Sequence, residues 1–155
     1  MPLPDIIAAV TARVRAVASA KNVYSYAREV REQKDFVALF QDPGAKKLHT
    51  WMITRAGTAS KDDGTTARRR IHEIAIFGYM SVDDANNSEA TFNGVIEDVC
   101  LAFDSVFLRQ YGGLYDWSQP CQVEGPTVLM YGPYLCHAVK IVHRVEELLY
   151  DQPIS

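Results

Sequence analysis

Between Ser88 and Leu108 the apolar residues Phe92, Val95, Ile96, Val99, Phe103 and Val106 return at intervals of three and four. That period places them on one stripe of a helix, with Asn93, Glu97 and Asp104 beside it. Asn87 or Ser88 supplies an N-terminal cap, and Glu89 suits the positive end of the helix dipole. The spacing therefore predicts a core-facing helix over 88–108. Gly94, Leu101 and Leu108 fall seven apart on the roughly opposite side. They are either scattered exposed residues or a second contact surface, covered by another helix or another subunit.

An earlier helical stripe, Ile6, Ile7, Val10, Val14 and Val17, follows Pro4 and Asp5 and fades near Ala20. Residues Asn22 to Lys34 have no period and read as a connection. From Asp35 the run DFVALFQ predicts a strand, Asp42, Pro43 and Gly44 a turn, and Leu48 to Arg55 a returning strand. In the latter, Leu48, Thr50 and Met52 share one face; His49, Trp51 and Ile53 share the other. The polar, turn-forming stretch between Ala56 and Ala67 separates this strand from IHEIAIFGYMSV, which predicts a second hairpin with a long exposed tip. The chain finishes with two β runs, VEGPTVLMY and YLCHAVKIVHRVEEL, joined through Gly132 and Pro133. In the second run, Leu135, His137, Val139, Ile141, His143 and Val145 form the drier face. Hairpin connections imply a mostly antiparallel sheet, and two amphipathic helices suffice to cover one face of it. The expectation is an α+β fold, one domain over 1–155.

Composition changes this picture little: 48% hydrophobic and 23% charged residues fit an ordinary globular chain, and 155 residues bury roughly 70% of the unfolded surface. A formal net charge of -3 argues against a generic nucleic-acid binder. Charge matters locally, however. The hairpin tip carries Lys61, Arg68, Arg69 and Arg70 beside Asp62 and Asp63. It is either a solvated loop that keeps the hairpin soluble or an arm reaching a carboxylate- or phosphate-bearing partner. Tyr111, Tyr115 and Trp117, interleaved with Gly112, Gly113 and Pro120, either form an interface or tuck under the domain. The first residues lack the basic leader and continuous apolar run of a signal peptide, and no stretch approaches a membrane span. A soluble, unexported protein is expected.

Catalytic chemistry is hard to assemble from this sequence. Cys100, Cys121 and Cys136 are odd in number and form no CxxC pair, so neither a disulfide framework nor a zinc site is implied, and a reducing cytoplasm is the simplest compartment. His137 and His143 share a strand face but stand roughly 20 Å apart at about 3.3 Å per residue. That is too far to share a metal. Gly112 and Gly113 lack the context of a phosphate loop. No catalytic residue, cofactor or metal is expected.

The arrangement resembles the tail terminator (tail completion) proteins of long-tailed bacteriophages and phage-like particles. The stretches that carry the resemblance are PDIIAAVTARVRAV, LHTWMITRAG, RRRIHEIAIFGYMSV, SEATFNGVIEDVCLAFDSV and PTVLMYGPYLCHAVKIVHRVEELL, together most of the chain. The resemblance rests on element order rather than on a short motif. It implies a virion protein, assembled in the host cytoplasm, that forms a homo-oligomeric ring, typically a hexamer. The ring would sit on the last ring of the tail tube, stop its growth and present a joint to the head-tail connector, with DNA passing through but not bound by sequence. Lys61, Arg68, Arg69 and Arg70 would then face the channel or the adjoining ring. Leu101, Leu108, Tyr111, Tyr115, Trp117 and an exposed strand edge would serve contacts. Two other classes remain open: a connector or tube subunit of such a particle, and a small α+β ligand-binding domain or enzyme.

Overall fold

A computed structural model describes residues 3–26, 41–42, 47–62, 67–104, 117–118, 120–132 and 134–150. Its elements are α1 (Leu3–Arg15), β1 (Val23–Tyr24), β2 (Gln41–Asp42), β3 (Lys47–Asp62), β4 (Ala67–Ser81), a 3-10 turn (Asp84–Asn86), α2 (Ser88–Asp104), β5 (Trp117–Ser118), β6 (Gln122–Tyr131) and β7 (Tyr134–Tyr150). The fold is α+β, as the alternating and helical periods predict.

Three long antiparallel strands, in the order β3-β4-β7, form the sheet's spine. β5 and β6 both pair with β7, at successive positions along its outer side. β1 and β2 pair with β3. Of the expected strand DFVALFQ, only Gln41 falls among the described residues; Asp42 beside it is paired strand rather than the start of the turn. The connection after α1 holds an unforeseen feature: β1 runs parallel to β3, Val23 beside Trp51. Asn22, at φ 49, anchors this join; its carbonyl accepts from Trp51 N–H (3.2 Å) and Thr50 Oγ1 (2.8 Å).

The expected exposed tip between Ala56 and Ala67 is a correction. GTASKD continues β3, bulging between Arg55 and Gly57, and pairs residue by residue as far as Asp62 opposite Arg68. Polar residues give this strand no apolar period, but the ladder needs only backbone donors and acceptors, and β4, itself paired with β7 on its other side, supplies them.

The two described helices pack on one face. Ile6, Val10 and Val14 of α1 and Phe92, Val95, Ile96, Val99 and Phe103 of α2 join Trp51, Ile53, Ile74, Ile76, Val139, Ile141 and Val145 in the main core. At roughly 1.5–3 kcal/mol for each large apolar side chain removed from water, this layer supplies most of the driving force for folding. Asn87 begins α2 in left-handed conformation (φ 52), with its Oδ1 accepting from Ala90 N–H at 3.4 Å. Ser88, the other cap candidate, directs its hydroxyl elsewhere.

The face opposite the helices is drier than alternation along β7 suggests. Leu48, Met52 and Cys136 are buried there under Tyr24, Tyr79, Tyr131 and Tyr134. Small residues Cys136 and Ala138 on β7 let Tyr79 and Tyr131, on the strands to either side, stack across it at 4.1 Å and 7°.

Candidate assembly surface

Among the described residues, the helix layer of α1 and α2 stops short of β6. Directly opposed residues of an antiparallel pair project to the same face, so Val123 (opposite Ile141), Val128 (opposite His137) and Met130 (opposite Leu135) all lie on the helix side. Their cross-strand neighbours Ile141 and His137 are buried. Val123, Val128, Met130 and Leu135 are nevertheless 44%, 57%, 60% and 50% exposed, and Leu129 on the reverse face is 40% exposed. Five large apolar side chains on one hairpin thus stay in water, an arrangement more often found at contact sites than on a solitary monomer.

Pairing along the edge itself is interrupted. The ladder shifts between Glu124 and Thr127 at a Gly125–Pro126 bulge, where Gly125 takes φ 104 and a Cβ would meet Ala138 O and Thr127 N at 3.2 Å. Pro126 has no N–H to offer, and a bulge turns an edge away from a neighbour. The geometry therefore favours contact through the side-chain face over continuation of the sheet.

Sequence reasoning foresaw an exposed edge but not this patch. The available signal was TVLMY, in which consecutive apolar residues occupy both faces of a strand next to a chain-reversing Gly132. Of the residues it did single out, Leu101 is 58% exposed on α2, and Gly94 has open space around it. Leu108, Tyr111 and Tyr115 lie outside the described residues; Trp117 pairs through its backbone with Glu146.

Lys61, Arg68, Arg69 and Arg70 are all exposed, but they do not form one cluster. As strand residues they alternate: Arg68 and Arg70 share the helix side, while Arg69 and its partner Lys61 share the other. Arg69 Nη1 lies 3.3 Å from Glu146 Oε2. The basic run is thus divided and partly neutralised.

The four histidines are all buried on the helix side, each with a partner. Trp51 Nε1–H donates to His49 Nε2 at 2.9 Å. His72 bridges Thr58 Oγ1 (3.0 Å) and Glu147 Oε2 (3.4 Å); burial outweighs the pull of Glu147 and holds the imidazole below its ordinary pKa. His143 sits 3.7 Å from Cys121 Sγ and packs on Phe103. Ser88 Oγ accepts from Asp83 N–H (2.7 Å) and bonds His137 Nε2 (2.8 Å), beneath a stacked Phe92. Ser88, though not His137, lines a cleft of about 320 Å³, together with Ser19, Lys47, His49, Asp83 and Thr91. Among the described residues no three His, Cys, Asp or Glu side chains converge as metal ligands, and no helix is long and apolar enough to cross a membrane.

No protein-family model matches the chain, and no curated protein sequence matches it.

Proposed function

We propose that the protein is a structural subunit of a long-tailed phage or phage-like particle. Its copies close into a ring, a hexamer in this reading, that caps the tail tube, ends tube polymerisation and joins the tube to the head connector. One observation carries the reading: the helix layer ends before β6 and leaves Val123, Val128, Met130 and Leu135 uncovered. A chain that buries Trp51, Phe92 and Phe103 completely has the means to finish its own core, so apolar residues left at one margin fit a surface finished by assembly. The order of helices and hairpins supports the family resemblance, and the divided basic residues suit DNA that passes without being held.

Size-exclusion chromatography with light scattering, followed by negative-stain imaging, tests the assembly. Closed single rings are expected, and a monomer at every concentration refutes them. Open stacking into tubes identifies a tube subunit instead. Capping is tested by adding the protein to polymerising tube subunits: shortened tubes are expected, and unchanged lengths remove the terminator role.

A second reading, a small ligand-binding domain or enzyme, is favoured by Ser88, which lines the cleft and contacts His137. Ligand-induced stabilisation or ester turnover abolished by Ser88→Ala supports it.

A further inference from the structure

α2 lies along β7, with Phe92 stacked on His137 at 5.9 Å and Phe103 against His143 at 4.5 Å. Its flank towards α1 is marked by Asp98 Oδ2, which accepts from Ser19 Oγ at 2.8 Å. Its flank towards β6 is marked by Asp104 Oδ1, which accepts from the N–H of Cys121, immediately before β6, at 3.0 Å. Glu89, Asn93, Glu97, Cys100 and Asp104 recur at intervals of four and three, so they share this second flank. Glu89, Asn93 and Glu97 are exposed on it. Beside β6 the chain therefore carries a step: an apolar floor of Val123, Val128 and Met130 next to an acidic wall.

The charge that matches this wall stands elsewhere. Arg68 and Arg70 project to the helix side from the outer end of the β3–β4 ladder, and both are exposed. Among the described residues, Arg70, Glu89 and Glu97 form no ion pair. Arg70 is opposite Glu147, whereas Val128 is opposite His137, ten residues back along β7 and roughly 33 Å away at about 3.3 Å per residue. Even Val123, opposite Ile141, is roughly 20 Å back on the same scale, farther than an arginine side chain spans. The ladder end does not reach the step of its own chain.

We propose that the step docks the arginine-bearing end of the β3–β4 ladder of a second copy, whose Arg68 and Arg70 pair with Glu97 and Glu89. The proposal rests on the assembly reading above and names the surface that covers the bare margin. Arginine suits both parts of the step. Its aliphatic stem lies along an apolar floor while its planar fork grips a carboxylate through two N–H groups. The step and the ladder end are different surfaces, so each copy offers one and accepts the other. Such a head-to-tail contact generates a closed ring when its rotation closes. Like charges oppose the wall-to-wall and end-to-end alternatives, which fixes the orientation of neighbouring copies.

The test is a charge swap in the full chain. Glu89→Lys with Glu97→Lys reverses the wall; Arg68→Glu with Arg70→Glu reverses the ladder end. Each double variant alone should need at least about a hundredfold higher concentration to assemble than the wild type, with melting showing that it is folded. Mixed in equal amounts, each variant presents the charge that the other lacks, and rings should return with the two alternating, read as equal copy numbers by native mass spectrometry. Either variant assembling like the wild type, or two folded variants that stay apart on mixing, overturns this contact and leaves the ring reading standing. A wild type that is monomeric at every concentration removes the ring reading, and this contact with it. If the arginine double variant fails to fold, Arg70→Lys treated with a carbodiimide decides. A cross-link from position 70 of one chain to Glu97 of an isotopically distinct chain is expected, and rings without that cross-link overturn the proposal.

Discussion

Gly78 lies directly opposite Trp51 in the β3–β4 ladder, and a Cβ built on it would fall 2.5 Å from the Trp51 ring. The indole occupies the space that any other residue's side chain would need, with its far side against Phe92 at 5.9 Å. Trp51 is wholly buried and cannot swing out. Gly78→Ala should therefore cost about 1–3 kcal/mol through overpacking, read as a lower denaturant midpoint at unchanged slope. A neutral Gly78→Ala would mean that the indole has another rotamer available.

The His72–Glu147 pair predicts sensitivity to acid. Because burial depresses the imidazole's folded-state pKa below the ordinary value of 6.5, the unfolded chain binds the extra proton first. Stability from this group is complete above that value and falls as pH drops from there through the depressed folded value. The steepest slope is about 1.4 kcal/mol per pH unit for one proton. His72→Gln should flatten that part of the stability curve in urea titrations between neutral and mildly acidic pH. An unchanged slope would assign the acid response to other groups.

Much of this architecture was readable because burial writes a period into sequence. The stripe Phe92, Val95, Ile96, Val99 and Phe103 faces the core as its spacing requires, and the two faces of β3 separate at Leu48 to Ile53 as alternation requires. The continuation of β3 beyond Arg55 was missed for the converse reason. Lys61 opposite Arg69 is held by backbone pairing, which leaves no apolar signature. β1 is two residues long, too short for any period. The uncovered patch depends on where a helix layer ends relative to a sheet edge, a relation between elements distant in sequence. Position 128 on β6 is exposed, whereas position 139 on the next strand is buried, although both hold valine.

The apolar patch should be separable from the fold. Val128→Asp and Met130→Asp place a charge where water already reaches, so stability should move by no more than about 0.5 kcal/mol. Assembly should weaken much more, since each carboxylate would have to be desolvated in the contact. Leu101→Asp tests the α2 face in the same way. Thermal melts paired with light scattering separate the two effects: intact melting with reduced assembly supports an interface, and intact assembly in all three variants removes these surfaces from it.

Ser88 provides the sharpest division between a structural and a catalytic site. Its hydroxyl accepts from Asp83 N–H and contacts His137 Nε2, tying the turn before α2 to β7. Ser88→Ala leaves both groups short of a partner in a buried place, for an expected loss of about 1–3 kcal/mol. Ser88→Thr keeps the hydroxyl and should recover part of that loss if the extra methyl is accommodated. For a structural site, the alanine variant should still assemble well below its lowered melting temperature, where the folded population is restored. For a nucleophile, its defect should instead appear as lost turnover at every temperature, including those at which circular dichroism finds the protein fully folded. Measuring assembly, turnover and melting on the same preparations distinguishes the two outcomes, because a hydroxyl that only ties two elements together has no route to affect chemistry once the fold is intact.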